Sequence, residues 1–267
     1  MTCPFKTEQI SFYCLASSSS GNAYVVVFPE NRALMVECGL SLKDLQKAMM
    51  DYGLSLNSIN ACIITHAHKD HSMARDELLE RGIDVYGNAA TMADSKGEHA
   101  HIIEAEQRYK ILPNLWIKPF AVVHDTPSFG YLIYDGIAKE TIMFINDTRT
   151  FDPITIADIA PDYLFIECNH IRKQLEAVLK SAMEKAEGNE DDKEASSKVF
   201  KYTRQAHFHL SLAGTKKMIR ALNTTKLKGI FLMHLSDEIA NEYVMKKEIE
   251  TTMKIKTAVC GKRGGIK

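Results

Sequence analysis

The chain of 267 residues predicts an α/β sandwich, with two β-sheets inside and helices outside. Three observations predict it. Short, β-branched apolar runs recur in both the first and the second portion of the chain, stretches of helical periodicity separate them, and side chains able to bind metal stand where apolar runs end.

In chain order, strand-like runs over Ile10 to Leu15, Ala23 to Phe28 and Ala33 to Glu37 are separated by turn chemistry. The turns are Ser17-Ser18-Ser19-Ser20-Gly21-Asn22 and Pro29-Glu30-Asn31, which predicts antiparallel hairpins. A helix with Leu42, Leu45, Met49 and Met50 on its apolar side follows, then a buried strand over Ala61 to Ile64 and a helix from Ser72 to Arg81. Further strands are expected around Val85, over Tyr109 to Leu112 and over Leu115 to Val123. The pair Gly130 to Tyr134 and Thr141 to Ile145 is joined by a turn near Asp135-Gly136. After a strand at Tyr163 to Ile166, a long helix from Arg172 runs into the polar stretch Glu184 to Glu194, which predicts a charged, mobile segment near 184–198. A helix (Leu210 to Leu222), a strand (Gly229 to Met233) and a final helix (Ser236 to Met253) complete the chain. Neither a short internal repeat nor a clean linker divides it, so one domain over 1–267 is expected.

With no apolar run long enough to span a bilayer and no leader pattern at the start, a cytoplasmic location is expected, without a membrane partner. The six cysteines (Cys3, Cys14, Cys38, Cys62, Cys168, Cys260) form no Cys-x-x-Cys pair, and several lie in apolar runs, so they read as reduced and structural. Net charge is −1, unevenly placed: Ala195 to Lys267 holds fifteen Lys or Arg against five Asp or Glu, leaving −11 for the rest. That asymmetry suits a polyanionic substrate held beside metals, although solvated helix faces such as Lys216-Lys217-Arg220 explain it equally well.

The strand Ala61-Cys62-Ile63-Ile64 leads into Thr65-His66-Ala67-His68-Lys69-Asp70-His71, which packs three imidazoles and one carboxylate into six residues. Alternation at the strand edge points His66 and His68 to one side, and the turn into the next helix brings Asp70 and His71 to a neighbouring point, so one segment can feed two metals. Three more candidates end apolar strands: His124, Asp147 and His234. Loops at one sheet edge converge while the sheet fixes their positions. Taken singly, each has a plainer explanation, a helix cap for Asp147 and a core or surface histidine for the others. Together with the first cluster they favour ligation.

His66-Ala67-His68-Lys69-Asp70-His71 followed by His124, Asp147 and His234 resembles the metallo-β-lactamase superfamily over nearly the whole chain. The resemblance implies a four-layer αββα sandwich of two mixed sheets with helices outside. It also implies that His66, His68 and His124 bind one metal, that Asp70, His71 and His234 bind a second, and that Asp147 bridges both. Four segments are similar to signatures of its YycJ/WalJ-like branch, a bacterial group associated with DNA exonuclease activity: Ser18-Ser19-Ser20-Gly21-Asn22-Ala23, Glu37-Cys38-Gly39-Leu40-Ser41, Glu167-Cys168-Asn169-His170 and His209-Leu210-Ser211. The chain departs from that branch at Glu37, where Asp is more usual, and at Ile171, where another Asp is expected.

The donor set agrees with hydrolysis. Two divalent cations lower the pKa of a shared water and neutralise charge on phosphoryl oxygens. With nitrogen and oxygen donors only, Zn²⁺ is the default, and Mn²⁺ or Fe²⁺ also suit. The expected catalytic side chains are Asp70, which accepts a proton as well as binding metal, and His170 and His209, which donate to phosphate or to the leaving oxygen. Asp125 is either an orienter for His124 or part of a local turn. The expected activity is phosphodiester hydrolysis on nucleic acid, exonuclease-like. Alternatives are a small-nucleotide phosphodiesterase, a thioester hydrolase of glyoxalase II type, and a binding module that holds nucleic acid without cutting it. The ligand set argues against a β-lactamase. The short stretch from Leu235 to Lys267 argues against the helical substrate domain of glyoxalase II, and the interval from Asp147 to His234 has no room for the inserted domain of RNase J.

Overall fold

A computed structural model describes residues 9–156, 158–188 and 192–267. The first sheet takes its strands in chain order, β1 (Ser11–Ser18), β2 (Gly21–Phe28), β3 (Arg32–Cys38), β4 (Ala61–Ile63), β5 (Asp84–Gly87) and β6 (Ala100–Ile102). Its first three strands are antiparallel, whereas β3 to β6 run parallel. The second sheet contains β7 (Tyr109–Leu112), β8 (Leu115–Val123), β9 (Ser128–Asp135), β10 (Glu140–Ile145), β11 (Thr150–Phe151), β12 (Tyr163–Glu167), β13 (Gly229–Met233) and β14 (Thr257–Val259). Its order is β11-β8-β9-β10-β12-β13-β14, with β7 also paired to β8.

Both sheets are buried on both faces, which is why their strands read as near-continuous apolar runs. On β12, Tyr163 and Phe165 point between the sheets, while Leu164 and Ile166 point under the outer helices. On β13, Phe231 and Met233 point inward, Ile230 and Leu232 outward. Phe165 and Phe231 stack at 4.1 Å, and Phe12 of the first sheet meets both rings at 5.3 and 5.1 Å, joining the sheets. Outside the first sheet lie α1 (Leu42–Met50), α2 (Lys69–Ser72) and α3 (Arg75–Leu79), with Leu45, Met49 and Leu78 in the core. Outside the second lie α6 (Leu212–Ala221) and α7 (Glu242–Met253), burying Met218, Ile219, Met245 and Ile249. A hairpin of α4 (Arg172–Gly188) and α5 (Lys193–Phe208) has its own small core of Leu175, Ala182, Tyr202 and Ile239. The arrangement is the expected αββα sandwich.

Several boundaries differ from expectation. The helix expected over Ser72 to Arg81 is two short helices, because Ala74 gives its N–H to the Cys38 carbonyl at 2.9 Å and breaks the helical ladder. The charged segment near 184–198 is largely helical: α4 continues to Gly188, and α5 begins at Lys193, where Asp192 caps the Ala195 N–H. Residues 189–191 of that segment, like Cys3, lie outside the described residues. A polar face hides a helix whose apolar side packs on its hairpin partner and on Ile239. The final helix starts at Glu242, where Asn241 caps it, and Ser236 to Ala240 precede it as a loop. The six-residue turn expected over Ser17 to Asn22 is a hairpin turning at Ser19-Ser20. The other five cysteines are free and buried, as expected. Among the described residues, no helix is long and apolar enough to cross a membrane.

Truncating the stacked pair should be costly. Phe165→Ala is expected to destabilise the protein by about 3–5 kcal/mol, measured as a lower midpoint in urea with an unchanged slope.

Candidate metal centre

Topology brings the candidate ligands together. In the second sheet β8 and β10 flank the antiparallel β9 and so share a direction, and β12 and β13 run parallel to β10. All four end at one edge, where His124, Asp147, Glu167 and His234 stand. In the first sheet the parallel β3 and β4 place Glu37 and the His66 to His71 segment.

Three groups of donor atoms converge there, each within 4.8 Å: His66, His68 and His124; His66, His71 and Asp147; and Asp147, Glu167, His209 and His234. His66 Nε2 lies 2.9 Å from His68 Nδ1. One oxygen of Asp147 is 3.2 Å from His71 Nε2 and 3.9 Å from His66 Nε2, while the other is 3.0 Å from His234 Nδ1. Asp147 therefore stands between the two halves of the cluster. Asp70 approaches from the rim, its Oδ2 3.4 Å from His71 Nε2. Of the predicted site residues, Asp70 and His170 belong to none of the three donor groups, although Asp70 meets His71 at the rim. His170 is buried, and its backbone pairs with Ser211.

Three residues of the site leave their strands in the left-handed region: Glu37 (φ 63°), Asp147 (φ 41°) and His234 (φ 54°). That conformation is strained for residues other than glycine and persists only where neighbours over-determine it. For His234 they do. Its N–H donates to Ser17 Oγ at 2.9 Å, and Asn169 Nδ2 donates to its carbonyl at 2.9 Å. Tyr24 donates to the same Ser17 hydroxyl. Asn22 Nδ2 donates to the carbonyls of Ser18 and Asp70 and lies 3.3 Å from His71 Nε2. Gly39 is required by close approach, since a Cβ there would overlap the Asp70 carbonyl. The Ser-Gly-Asn and Glu-Cys-Gly segments thus support the histidine segment from beneath.

Glu37 and Glu167 stand in sequence motifs that assign them no role. Both are fully buried and orient site residues. Glu37 Oε1 lies 3.0 Å from His71 Nδ1 and accepts from Thr65 Oγ1, and its Oε2 accepts the Thr65 N–H. Glu167 lies 2.5 Å from His209 Nδ1 and accepts the N–H groups of Thr148 and Leu210. The available signal was an acidic residue at the end of an otherwise apolar strand. Arg204 was missed with its helix. Its Nε and Nη2 hold Asp125 Oδ2 at 2.7 and 2.6 Å, and Asp125 in turn lies 3.0 Å from His124 Nε2 and 3.4 Å from His68 Nε2.

Electrostatics divide the histidines. Burial holds His66 well below the usual imidazole range, aided by the neighbouring His71, and burial also lowers His124. Burial acts the same way on His71, but Asp147 and Glu37 override it and raise that imidazole well above its ordinary value. Burial works against the Asp147 charge, yet His234 and His71 keep the carboxyl ionised far below the usual range. Burial likewise opposes the His209 charge, and Glu167 raises it to about 9. His170, lowered to about 4 by burial, is neutral at neutral pH.

The donors fit divalent metal. His124 Nδ1 is buried without a hydrogen-bond partner, while His124 Nε2, His234 Nδ1 and Asp147 Oδ1 are buried with ion-pair neighbours at 3.0 Å. A buried ring nitrogen without a partner is costly unless something else satisfies it. Fold and donor set define a metallo-β-lactamase-fold protein with a place for divalent cations. The chain belongs to the beta-lactamase superfamily, its residues 32–235 matching the beta-lactamase superfamily domain. It is similar to the exodeoxyribonuclease WalJ of Streptococcus pneumoniae, with 29% identity over 169 residues, or 58% of this chain and 61% of that protein. The chain thus spans less than two thirds of the length of that relative. Its fold is similar to the metallo-beta-lactamase fold protein YhfI of Bacillus subtilis (TM-score 0.70, 15% identity, 97% of this chain and 99% of the other). It is also similar to the short form of human tRNase Z (TM-score 0.60, 17% identity, 85% and 93%).

Gly39→Ala should push the Asp70 carbonyl and His71 out of place. It is expected to cost about 1–3 kcal/mol in denaturant unfolding and to lower bound metal, measured by elemental analysis after reloading.

Proposed function

We propose that this chain is a dinuclear metal-dependent phosphodiesterase that acts on nucleic acid, removing nucleotides from DNA ends. The observation that carries the reading is the set of three overlapping donor groups, two of which share Asp147 and two of which share His66. The similarity to an exodeoxyribonuclease supports the choice of substrate.

In this reading His66, His68 and His124 would hold one ion and Asp70, His71 and His234 the other, with Asp147 lying between them. When bound, the ions supply a lowered water pKa and positive charge at the phosphoryl oxygens. The chain's own groups do the rest. Asp70, on the rim, accepts the proton of the attacking water. His209 is committed to Glu167 through Nδ1, which leaves Nε2 to donate to a phosphoryl or leaving oxygen, and Glu167 favours its charged form. His209 stacks on His234 at 5.3 Å, close enough for that role. His170 enters only as a neutral hydrogen-bonding group. Glu37 fixes the His71 ring for its ion.

Incubation with 5′- and 3′-labelled single- and double-stranded DNA and RNA, supplemented with Zn²⁺ or Mn²⁺, tests this reading. Cleavage is expected, abolished by chelation, restored by metal and lost in His68→Ala. No cleavage with any metal, or hydrolysis of a thioester substrate alone, would overturn it. Glu37→Gln is expected to weaken metal affinity roughly 10–100-fold, measured by competition with a chromogenic chelator.

A further inference from the structure

We propose that α5 is a substrate wall, on which the ring of Phe200 stacks one base of a single-stranded end while Arg204 holds the adjoining phosphate. The proposal rests on the nucleic-acid reading above and names the residues that seat the substrate.

The buried side of α5 is Ala195, Tyr202 and Gln205, packed toward α4 and Ile239. A different face looks toward the metal centre. At 3.6 residues per turn, Arg204 lies about 40° around the helix from Phe200, and Phe208 about another 40°. Two of these three already touch the site. Arg204 holds Asp125 and brings Nη2 within 3.5 Å of His68 Nδ1, and the Phe208 ring stands 6.0 Å from that of His124. Phe200, one turn earlier and about 6 Å along the axis, is 73% exposed. An exposed apolar side chain is unremarkable alone. Here its place decides: a free aromatic face sits one helical turn from a guanidinium that reaches the metal-binding histidines.

A flat apolar ring beside a planar cation matches the two parts of a nucleotide, a base with a π-face and a phosphate. Arg204 keeps capacity for the phosphate. Its Nε and Nη2 are engaged with Asp125, and among the described residues its Nη1 donors are uncommitted. The nearby lysines of α5 are already paired, Lys198 with Glu194 and Lys201 with Glu238, so Arg204 is the cation best placed for the role. The base must be unpaired, because in a duplex both of its faces are covered.

The test separates seating from cleavage. Binding of a fluorescein-labelled single-stranded oligonucleotide to chelator-treated protein is measured by anisotropy for the parent and for Phe200→Ala, Phe200→Leu, Phe200→Tyr and Phe200→Trp. Melting temperatures check the fold. The expected result is a tenfold or greater loss of affinity for the Ala and Leu variants and near-parental affinity for the Tyr and Trp variants. Arg204→Lys is expected to weaken binding, because it loses the planar fork. Tyr243→Ala, which removes an exposed ring on α7, serves as the control and should bind as the parent does. With metal restored, the Leu variant should raise KM for the oligonucleotide more than it lowers kcat. The proposal is overturned if the parent binds no oligonucleotide, if the Leu variant binds as tightly as the parent, or if Tyr243→Ala loses as much as Phe200→Ala. Absence of cleavage alongside Phe200-dependent binding would sink the nuclease reading and leave this proposal standing. Cleavage with binding and KM indifferent to Phe200 would do the reverse.

Discussion

Asp147 is the group on which the arrangement of the site depends. Its carboxylate, almost wholly buried, faces His66 and His71 from the first sheet and His234 from the second. A lone buried carboxylate would be expensive to ionise. Surrounded by imidazoles, it remains ionised, and its charge holds His71 well above the ordinary imidazole range. The two sheets are joined electrostatically at this edge as they are joined by Phe12, Phe165 and Phe231 in the interior.

Around that carboxylate the chain is bent where it would prefer to be extended. Glu37, Asp147 and His234 each carry positive φ at a strand end, at a cost of about 1–3 kcal/mol apiece. The strain persists because Ser17, Asn22, Asn169 and Thr65 hold neighbouring backbone and side chains, and because Gly39 lets two loops approach within the space a methyl group would need. These polar residues sit deep in the molecule and bond mostly to other parts of the chain. They are scaffold for the histidines, which explains why short Ser-Gly-Asn and Glu-Cys-Gly segments accompany a metal motif far from them in sequence.

The α4–α5 hairpin adds a second layer of support. Through Arg204 it grips Asp125, and through α5 it delivers Phe208 and His209 to the cluster. Glu167, at the end of β12, then holds His209 from the sheet side. The most polar part of the chain thus contributes directly to the centre.

Much of the fold was legible in the sequence because sheets buried on both faces write long apolar runs, and β12 and β13 were readable almost to the residue. The metal motif was equally legible, since six residues bear three imidazoles and a carboxylate. Less legible were α5, whose apolar contacts exist only once α4 and Ile239 lie against it, and the break between α2 and α3, which depends on the Cys38 carbonyl from another strand. Glu37 and Glu167 were visible as residues but not as orienters, because an acid at a strand end gains its meaning from the ring that it meets across space. His170 illustrates the converse: a histidine in a motif that belongs to none of the donor groups. The sequence by itself determined most of the strands, the donor types and the order in which they occur, but not β6, β11 and β14, short strands at sheet ends whose pairing is supplied by a neighbour. Tertiary structure alone decided which donors share Asp147 and which carboxylates hold the rings, since those distances arise only when two sheets close on one another.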